Sequence, residues 1–231
     1  MSYKKVIAFG DSFTRGDELD DCPANNTSTG FPFSRQTWPA VFAQLRDCDY
    51  LCFALGGVGN QYISWQIANR LRPDTLFIIN WTYFERFDYV DIDKDQWTTV
   101  HPRHDNKISH YFFKHIDSEV WNVYRNLQLM HGTVSLLKQH NIDFIMTCMD
   151  TKYSNSVDRM LNFHSKWSDA ILKLHEQVNP YVVSFEELTF LDWTRYNGFE
   201  IGPHGHPLEK AHTAAANYIN MVTTEGKING H

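Results

Sequence analysis

The chain has 231 residues, of which 42% are hydrophobic and 21% charged, a composition typical of a globular protein large enough to bury a full core. Its formal net charge is −6 and no segment is rich in Lys and Arg, which argues against nucleic acid as a partner. No apolar run is long enough to span a membrane, and residues 1–5 lead directly into the first predicted strand. We therefore expect a cytoplasmic protein with no signal peptide and no membrane contact.

Short apolar runs alternate with helical patterns along the chain. Strands are predicted at residues 6–9, 50–55, 76–80, 143–149 and 181–185. Helices are predicted at residues 37–46, 61–71, 118–140, 157–178 and 208–222. This alternation predicts an α/β fold, a three-layer α/β/α sandwich around a five-stranded, flavodoxin-like parallel sheet. We assign residues 1–222 to a single domain and residues 223–231 to a flexible tail.

Two segments interrupt the alternation and are predicted to be long loops. Residues 16–35 are rich in Gly, Pro, Asn and acidic residues, and residues 85–115 contain acids, four histidines and several aromatic rings. Loops of this length in a compact domain are usually functional or mobile. Both follow strand ends at the carboxyl edge of the predicted sheet, where they are placed to cover a pocket.

Polar residues follow four of the predicted strands. Asp11 and Ser12 follow the first strand, and a glycine-rich loop that ends at Gly59 follows the second. Asn80, Trp81 and Thr82 end the third, and the loop after the fifth contains His204 and His206. Open α/β sheets bind ligands at this carboxyl edge. Acyl transfer requires these groups together: a hydroxyl, exposed backbone amides, a side-chain amide and an imidazole.

The sequence Gly10-Asp11-Ser12-Phe13 resembles the first block of the SGNH (GDSL-type) hydrolases, and the remaining blocks fall in that family's order. The resemblance implies that Ser12 is the nucleophile and that its own backbone N–H is one oxyanion donor. It further implies that Gly59 supplies a second backbone N–H, that Asn80 is the third donor and that His206, before Pro207, is the base.

The chain departs from the family pattern at two places. The third block of the family reads Gly-x-Asn-Asp, whereas this chain has Asn80-Trp81-Thr82-Tyr83, so that either Asn80 or the Thr82 hydroxyl is the candidate donor. The aspartate expected three residues before the histidine is replaced by a proline. Glu200, His204 or a backbone carbonyl are the alternatives for orienting His206. We interpret Asp11 as a turn or cap residue that supports Ser12.

We therefore predict a serine esterase that needs no cofactor or metal and acts on small-molecule or carbohydrate esters, with O-acetyl groups on carbohydrates as one candidate. The first alternative is a non-catalytic binding or structural module that retains the fold. The second is a metal-dependent hydrolase that uses the histidine-rich segment, although histidines in a loop without accompanying cysteines are more often surface residues. These histidines are His101, His104, His110 and His115.

Several further residues receive structural interpretations. The four cysteines lack zinc-site or CxxC spacing, and three of them lie in or beside apolar runs and are interpreted as small core residues of a reducing compartment. The four are Cys22, Cys48, Cys52 and Cys148. His212 is expected on the last helix near the site, and Asp150 at the functional edge is either a site residue or a cap. Arg86 is expected to pair with an acid or to contact a polar substrate.

Overall fold

The computed structural model describes residues 3–22, 32–151, 153 and 166–224. Within them, six strands form two sheets. The strands are β1 (Lys5–Phe9), β2 (Asp49–Cys52), β3 (Thr75–Trp81), β4 (Phe87–Asp91), β5 (Gln96–Val100) and β6 (Asp143–Cys148). The main sheet is parallel, with the order β2-β1-β3-β6, and β4 and β5 form a separate antiparallel hairpin.

Eight α-helices lie within the described residues. They are α1 (Ser12–Arg15), α2 (Trp38–Leu45), α3 (Asn60–Ala68), α4 (Lys107–His115), α5 (Glu119–Gln139), α6 (Lys166–Val178), α7 (Phe190–Tyr196) and α8 (Glu209–Thr224). Helices α2 and α8 pack against each other, and α5 packs against both α3 and α6.

The alternation of side chains along the central strands explains the three layers. In β1, Val6 and Ala8 belong to one apolar cluster, together with residues of α2, α7 and α8. Ile7 and Phe9 point to the opposite face and join the cluster formed with α3, α5 and α6. Successive residues of a strand face opposite sides, so a strand buried on both sides is a continuous apolar run. The predicted α/β/α sandwich around a parallel sheet is confirmed, with four strands in the ladder of the main sheet.

The segment predicted as the fifth strand contributes little to the sheet. Residues 181–185 lie beside β6, where Val182 forms one parallel bridge with Met146 and the Val183 N–H donates to the Met146 carbonyl at 2.7 Å. Two residues further on, Phe185 pairs with Leu188 instead. The segment therefore occupies the expected place next to β6 without extending the ladder.

The prediction that residues 85–115 form an aperiodic loop is wrong. This segment folds into the β4–β5 hairpin and helix α4. Helix α4 begins at a capped position, because the Asn106 side chain accepts a hydrogen bond from the Ser109 N–H at 2.9 Å. Of the other predicted insertion, residues 16–35, residues 23–31 lie outside the described residues.

Two predictions near the C-terminus fall partly outside the described residues. The predicted helix at 157–178 is described only from Lys166 onward as α6, and residues 157–165 lie outside the described residues. Thr223 and Thr224, predicted to begin a flexible tail, are the last residues of α8, whereas residues 225–231 are not described. No helix among residues 3–22, 32–151 and 166–224 has the length and apolar character needed to cross a membrane.

Candidate active site

Ser12 lies at the point where β1 leaves the sheet. Gly10 follows the strand, and a Cβ at this residue would lie 2.2 Å from the Thr14 hydroxyl oxygen, so only glycine fits the tight turn. Ser12 then opens the single-turn helix α1, which ends at Gly16 in the left-handed region, with φ of 88°. The sequence between these two glycines therefore fixes the position of the Ser12 hydroxyl at the carboxyl edge of the sheet.

Asp11 holds this turn in place through a buried hydrogen-bond network. Its Oδ1 accepts from the Phe13 N–H at 3.1 Å, and its Oδ2 accepts from the Thr82 hydroxyl at 2.6 Å and from Arg86 Nη1 at 3.0 Å. Arg86 Nη1 also donates to the Val58 carbonyl at 2.9 Å. The prediction that Asp11 caps the serine turn is confirmed, and the acid that pairs with Arg86 is Asp11.

His206 reaches Ser12 from a tightly folded loop after α7. The Gly202 N–H donates to the His206 carbonyl at 2.8 Å, and Ile201 bridges Pro207, which closes the loop at its base. The imidazole Nε2 lies 2.8 Å from the Ser12 Oγ. The Phe13 ring packs beside the imidazole, with 4.8 Å between the ring centroids. Residues 194 positions apart in sequence thus share a hydrogen bond in one cleft.

Glu18 occupies the other side of the imidazole. Its Oε2 lies 2.6 Å from His206 Nδ1 and also accepts from the His206 backbone N–H at 3.1 Å, while Oε1 accepts from the His204 N–H at 2.8 Å. Burial raises the pKa of Glu18, but these hydrogen bonds outweigh burial and hold its pKa below the ordinary value. A carboxylate only accepts, so Nδ1 carries the imidazole proton and Nε2 is left to accept from the serine hydroxyl.

Glu200, the first candidate to orient His206, is therefore replaced by Glu18. Glu200 is exposed, and its backbone carbonyl accepts from the Leu208 N–H at the base of the loop. His204 also differs from expectation, because it takes part through its backbone N–H rather than through its ring. The sequence offered a single indirect signal for Glu18, namely the missing aspartate at Pro203. A Cβ at Gly202 would lie 2.7 Å from Glu18 Oε1, so this glycine makes room for the carboxylate.

The residues expected to form an oxyanion hole are placed differently from the family pattern. The Gly59 N–H donates to Asp88 Oδ1 at 2.8 Å and begins helix α3. The Thr82 hydroxyl donates to Asp11. Asn80 is buried, with its Oδ1 accepting from the Thr147 hydroxyl at 2.8 Å, whereas its Nδ2 has no hydrogen-bond partner among the described residues. The Gly59 N–H and the Thr82 hydroxyl are thus committed to the scaffold, whereas the Asn80 side-chain N–H groups are not. Sequence reasoning missed Asp88, because it belongs to the hairpin that was predicted to be a loop.

Within the described part of the chain, two other residues that line the cleft have backbone N–H groups without an acceptor. Ser12 and Gly57 both line it, and neither N–H has a hydrogen-bond acceptor among the described residues. Gly57 has φ of 79°, and a Cβ there would meet nothing within 4 Å, so its backbone borders open space. Backbone N–H groups without an acceptor, beside a serine hydroxyl, are suited to receive the negative charge that develops on a carbonyl oxygen.

The cleft around Ser12 has a volume of about 470 Å³, within the range of small-molecule sites. Its lining includes the candidate serine and histidine, Tyr83, Leu191 and several arginines. A larger depression of about 700 Å³ lies on the other side of Gly56 and Gly57, bordered by the β4–β5 hairpin and α4. That depression contains neither Ser12 nor His206, so the smaller cleft is the candidate active site.

The remaining residues singled out from the sequence are distributed over the scaffold. His212 is buried on α8, as predicted, and its Nδ1 accepts from the Trp38 N–H at 3.0 Å. Asp150 Oδ2 accepts from the Phe84 N–H at 2.7 Å. All four cysteines are free thiols, three of them buried. Within the described residues, no three His, Cys, Asp or Glu side chains are grouped to hold a metal ion.

Comparison with solved structures identifies the fold. The chain is similar to a family 2 carbohydrate esterase from Corynascus thermopiles (Myceliophthora fergusii), with a TM-score of 0.54, 15% identity, and coverage of 96% of this chain and 67% of that one. It is also similar to a family two carbohydrate esterase from Clostridium thermocellum, with a TM-score of 0.51, 12% identity and coverage of 97% and 64%. An acetyl xylan esterase from the rumen bacterium Butyrivibrio proteoclasticus gives a TM-score of 0.50, 13% identity and coverage of 100% and 66%.

These similarities show that the chain has the fold of the carbohydrate esterases, which is the SGNH-hydrolase fold expected from the Gly10-Asp11-Ser12 block. The chain spans about two thirds of the length of each of these three proteins. No protein-family model matches the chain, and no curated protein matches it in sequence.

Proposed function

We propose that this protein is a carboxylic ester hydrolase that uses Ser12 as its nucleophile, His206 as the general base and Glu18 as the residue that orients the imidazole. The observation that carries the proposal is the continuous hydrogen-bonded chain from Ser12 Oγ to His206 Nε2, and from His206 Nδ1 to Glu18 Oε2, with lengths of 2.8 and 2.6 Å. These distances lie within the reach that a nucleophile and its base require.

The reaction follows from the protonation states. His206 Nε2 takes the proton of the Ser12 hydroxyl as Oγ forms a bond to the ester carbonyl carbon, and the carbonyl electrons move onto oxygen. The imidazolium that results is stabilised by the Glu18 carboxylate. When the tetrahedral intermediate collapses, the C–O bond to the alcohol breaks and His206 returns its proton to the departing oxygen. Water then attacks the acyl-serine by the same two steps and releases the acid.

The oxyanion is assigned to the backbone N–H groups of Ser12 and Gly57. Both line the cleft, and neither has an acceptor among the described residues. Gly59, in contrast, has its N–H committed to Asp88 at 2.8 Å. One donor of this kind typically contributes about 10²–10³-fold to turnover, because it is already oriented toward the developing charge.

The proposed substrates are small acyl esters, with carbohydrate O-acetyl groups as the first candidates. The cleft volume of about 470 Å³ accommodates a short acyl chain together with part of its alcohol. Two of the structurally similar proteins are carbohydrate esterases and one is an acetyl xylan esterase, which supports acetylated sugars as the first panel to test.

The test is hydrolysis of p-nitrophenyl esters of increasing acyl length and of acetylated xylan by the wild-type protein and by Ser12→Ala. We expect turnover of the acetate ester that falls by about 10⁴-fold or more in Ser12→Ala, because the remaining groups cannot form the acyl-serine. Equal background rates for both proteins on every ester would instead favour the alternative, a non-catalytic binding module on this fold.

A further inference from the structure

The lining of the candidate active site is rich in arginine, although the chain as a whole is acidic. The protein has 21 Lys and Arg against 27 Asp and Glu. The cleft that contains Ser12, in contrast, is lined by four arginines and only two acids. The arginines are Arg15, Arg86, Arg103 and Arg195, and the acids are Asp17 and Glu85.

Two of the arginines are already committed to neighbouring acids. The Arg15 guanidinium forms a two-point contact with Asp17, at 2.5 and 2.7 Å. Arg86 is 7% exposed and pairs with the fully buried Asp11 at 3.0 Å. These two cations therefore stabilise the walls of the cleft, and their charge is largely compensated within the protein.

The other two arginines are available at the surface of the cleft. The Arg103 guanidinium is exposed, and within the described part of the chain it forms no ion pair or hydrogen bond. Arg195, in the last turn of α7, has a side chain that is 59% exposed and touches Asp192 only at 3.5 Å. Arg103 lies in the connection between β5 and α4, and Arg195 lies in the helix that precedes the His206 loop.

The pKa of His101 indicates that several cations lie close together in this cleft. Partial burial and then the nearby charges of Arg86, His104 and Arg103 lower the pKa of His101 to about 4, and the acid Glu85 only partly opposes them. The imidazole is therefore neutral at pH 7 and adds no charge. Arginines gathered in this way form a region that attracts an anion, since among the described residues Arg103 is exposed and unpaired and Arg195 is paired only with Asp192 at 3.5 Å.

We propose that the ester hydrolysed in this cleft carries an anionic group, a carboxylate or a phosphate, and that Arg103 and Arg195 bind that group. This inference rests on the proposed esterase function and names its substrate class. Guanidinium groups suit both anions, because their planar N–H groups match two oxygens at once. A neutral acetylated sugar would offer neither guanidinium an anionic group to bind.

The test compares three acetate esters of the same shape: 4-acetoxybenzoate, 4-acetoxyphenyl phosphate and the neutral 4-acetoxybenzamide. Each kcat/KM is divided by the rate of spontaneous hydrolysis, which removes differences in leaving-group reactivity. We expect at least one anionic ester to be preferred over the amide by about tenfold at low salt, since each exposed charge pair contributes about two- to fivefold. The preference should shrink when NaCl is raised from about 20 to about 500 mM, because salt screens exposed charges.

Two charge-removing variants make the test specific. Arg103→Gln should reduce the ratio of anionic to neutral kcat/KM by about two- to fivefold. Lys173→Gln removes the same charge from an exposed position on α6, away from the cleft lining, and should leave this ratio unchanged. Equal use of all three esters, or the same change in ratio in both variants, would overturn the inference while leaving the esterase function standing. No turnover of any ester above that of Ser12→Ala would remove the esterase function and this inference with it.

Discussion

Glu18→Gln separates the orienting role of the carboxylate from its size. The amide has the same shape, so that it fits the space left by Gly202, where a Cβ would lie only 2.7 Å from the Glu18 oxygen. The wild-type carboxylate accepts three hydrogen bonds, from the His204 N–H, the His206 N–H and His206 Nδ1. In Glu18→Gln, one carboxylate oxygen is replaced by an NH₂ group, which cannot accept a hydrogen bond and must face one or two of these donors.

The expected effect on activity is large. An amide N–H facing Nδ1 favours the tautomer in which Nε2 carries the proton, and that tautomer cannot accept from Ser12. We expect kcat for p-nitrophenyl acetate to fall by about 10²–10⁴-fold. The protein should also lose about 1.5–3 kcal/mol of unfolding free energy, the contribution of one hydrogen bond to a charged group, since the Glu18 side chain is only 11% exposed.

The pH dependence of stability gives a second measurement on the same variant. The pKa of Glu18 is lowered on folding from its ordinary value of 4.5, so its contribution to stability is fully present above that pH and is lost as the pH falls through the folded value. Urea unfolding monitored by circular dichroism below pH 4.5 should therefore show a shallower loss of stability in Glu18→Gln than in wild type.

Glu200→Gln is the matched control, because it makes the same substitution at an exposed residue close to the same loop. It should change neither kcat nor stability measurably. The assignment of the orienting carboxylate is refuted if Glu18→Gln keeps wild-type kcat, or if Glu200→Gln loses as much activity as Glu18→Gln does.

Three further substitutions test the scaffold around the site. Arg86→Met leaves the fully buried Asp11 carboxylate without its cation and should lower the unfolding free energy, measured by urea titration, by about 3 kcal/mol. The control is Lys94→Met, at the exposed ion pair with Asp91, which should have no measurable effect in the same titration. Gly202→Ala should displace Glu18 and reduce kcat, and wild-type kcat in this variant would contradict the proposed packing of Glu18 against Gly202. The control is Gly132→Ala, in the middle of α5 with open space around it, which should stabilise the protein by about 0.5–1 kcal/mol. Burial, reinforced by the charge of His206, lowers the pKa of His212 to about 3, so the unfolding free energy should fall as the pH drops from 6.5 toward 3. His212→Gln should flatten this part of the stability profile, and an unchanged profile would count against a neutral buried imidazole.

The sequence was sufficient to predict the central sheet, because β1 and β3 are apolar runs of the kind found in strands that are buried on both faces. It was also sufficient to predict that Ser12 and His206 lie at one edge, because Ser12 follows the first predicted strand and His206 follows the fifth predicted segment, which lies beside β6. The hydrogen bond between these residues is a direct consequence of that topology.

Glu18 and Asp88 could not be found in this way, because their roles depend on contacts between distant parts of the chain. Glu18 contacts a residue 188 positions away, and its backbone adopts φ of 72°, which no pattern in the sequence indicates. Asp88 lies in a strand of only five residues, and its carboxylate accepts from the backbone N–H groups of Gly59 and Tyr62 at the start of α3. Buried acids that bind backbone amides resemble ordinary loop acids when only the sequence is read.

The most direct test of the central claim is covalent labelling of Ser12 by a fluorophosphonate, measured by mass spectrometry of the intact protein and of its peptides. We expect a single adduct on the peptide that contains Ser12, formed much more slowly in His206→Ala, because only the imidazole can take the proton of this hydroxyl. Absence of an adduct, attachment at another residue, or an unchanged labelling rate in His206→Ala would contradict the account.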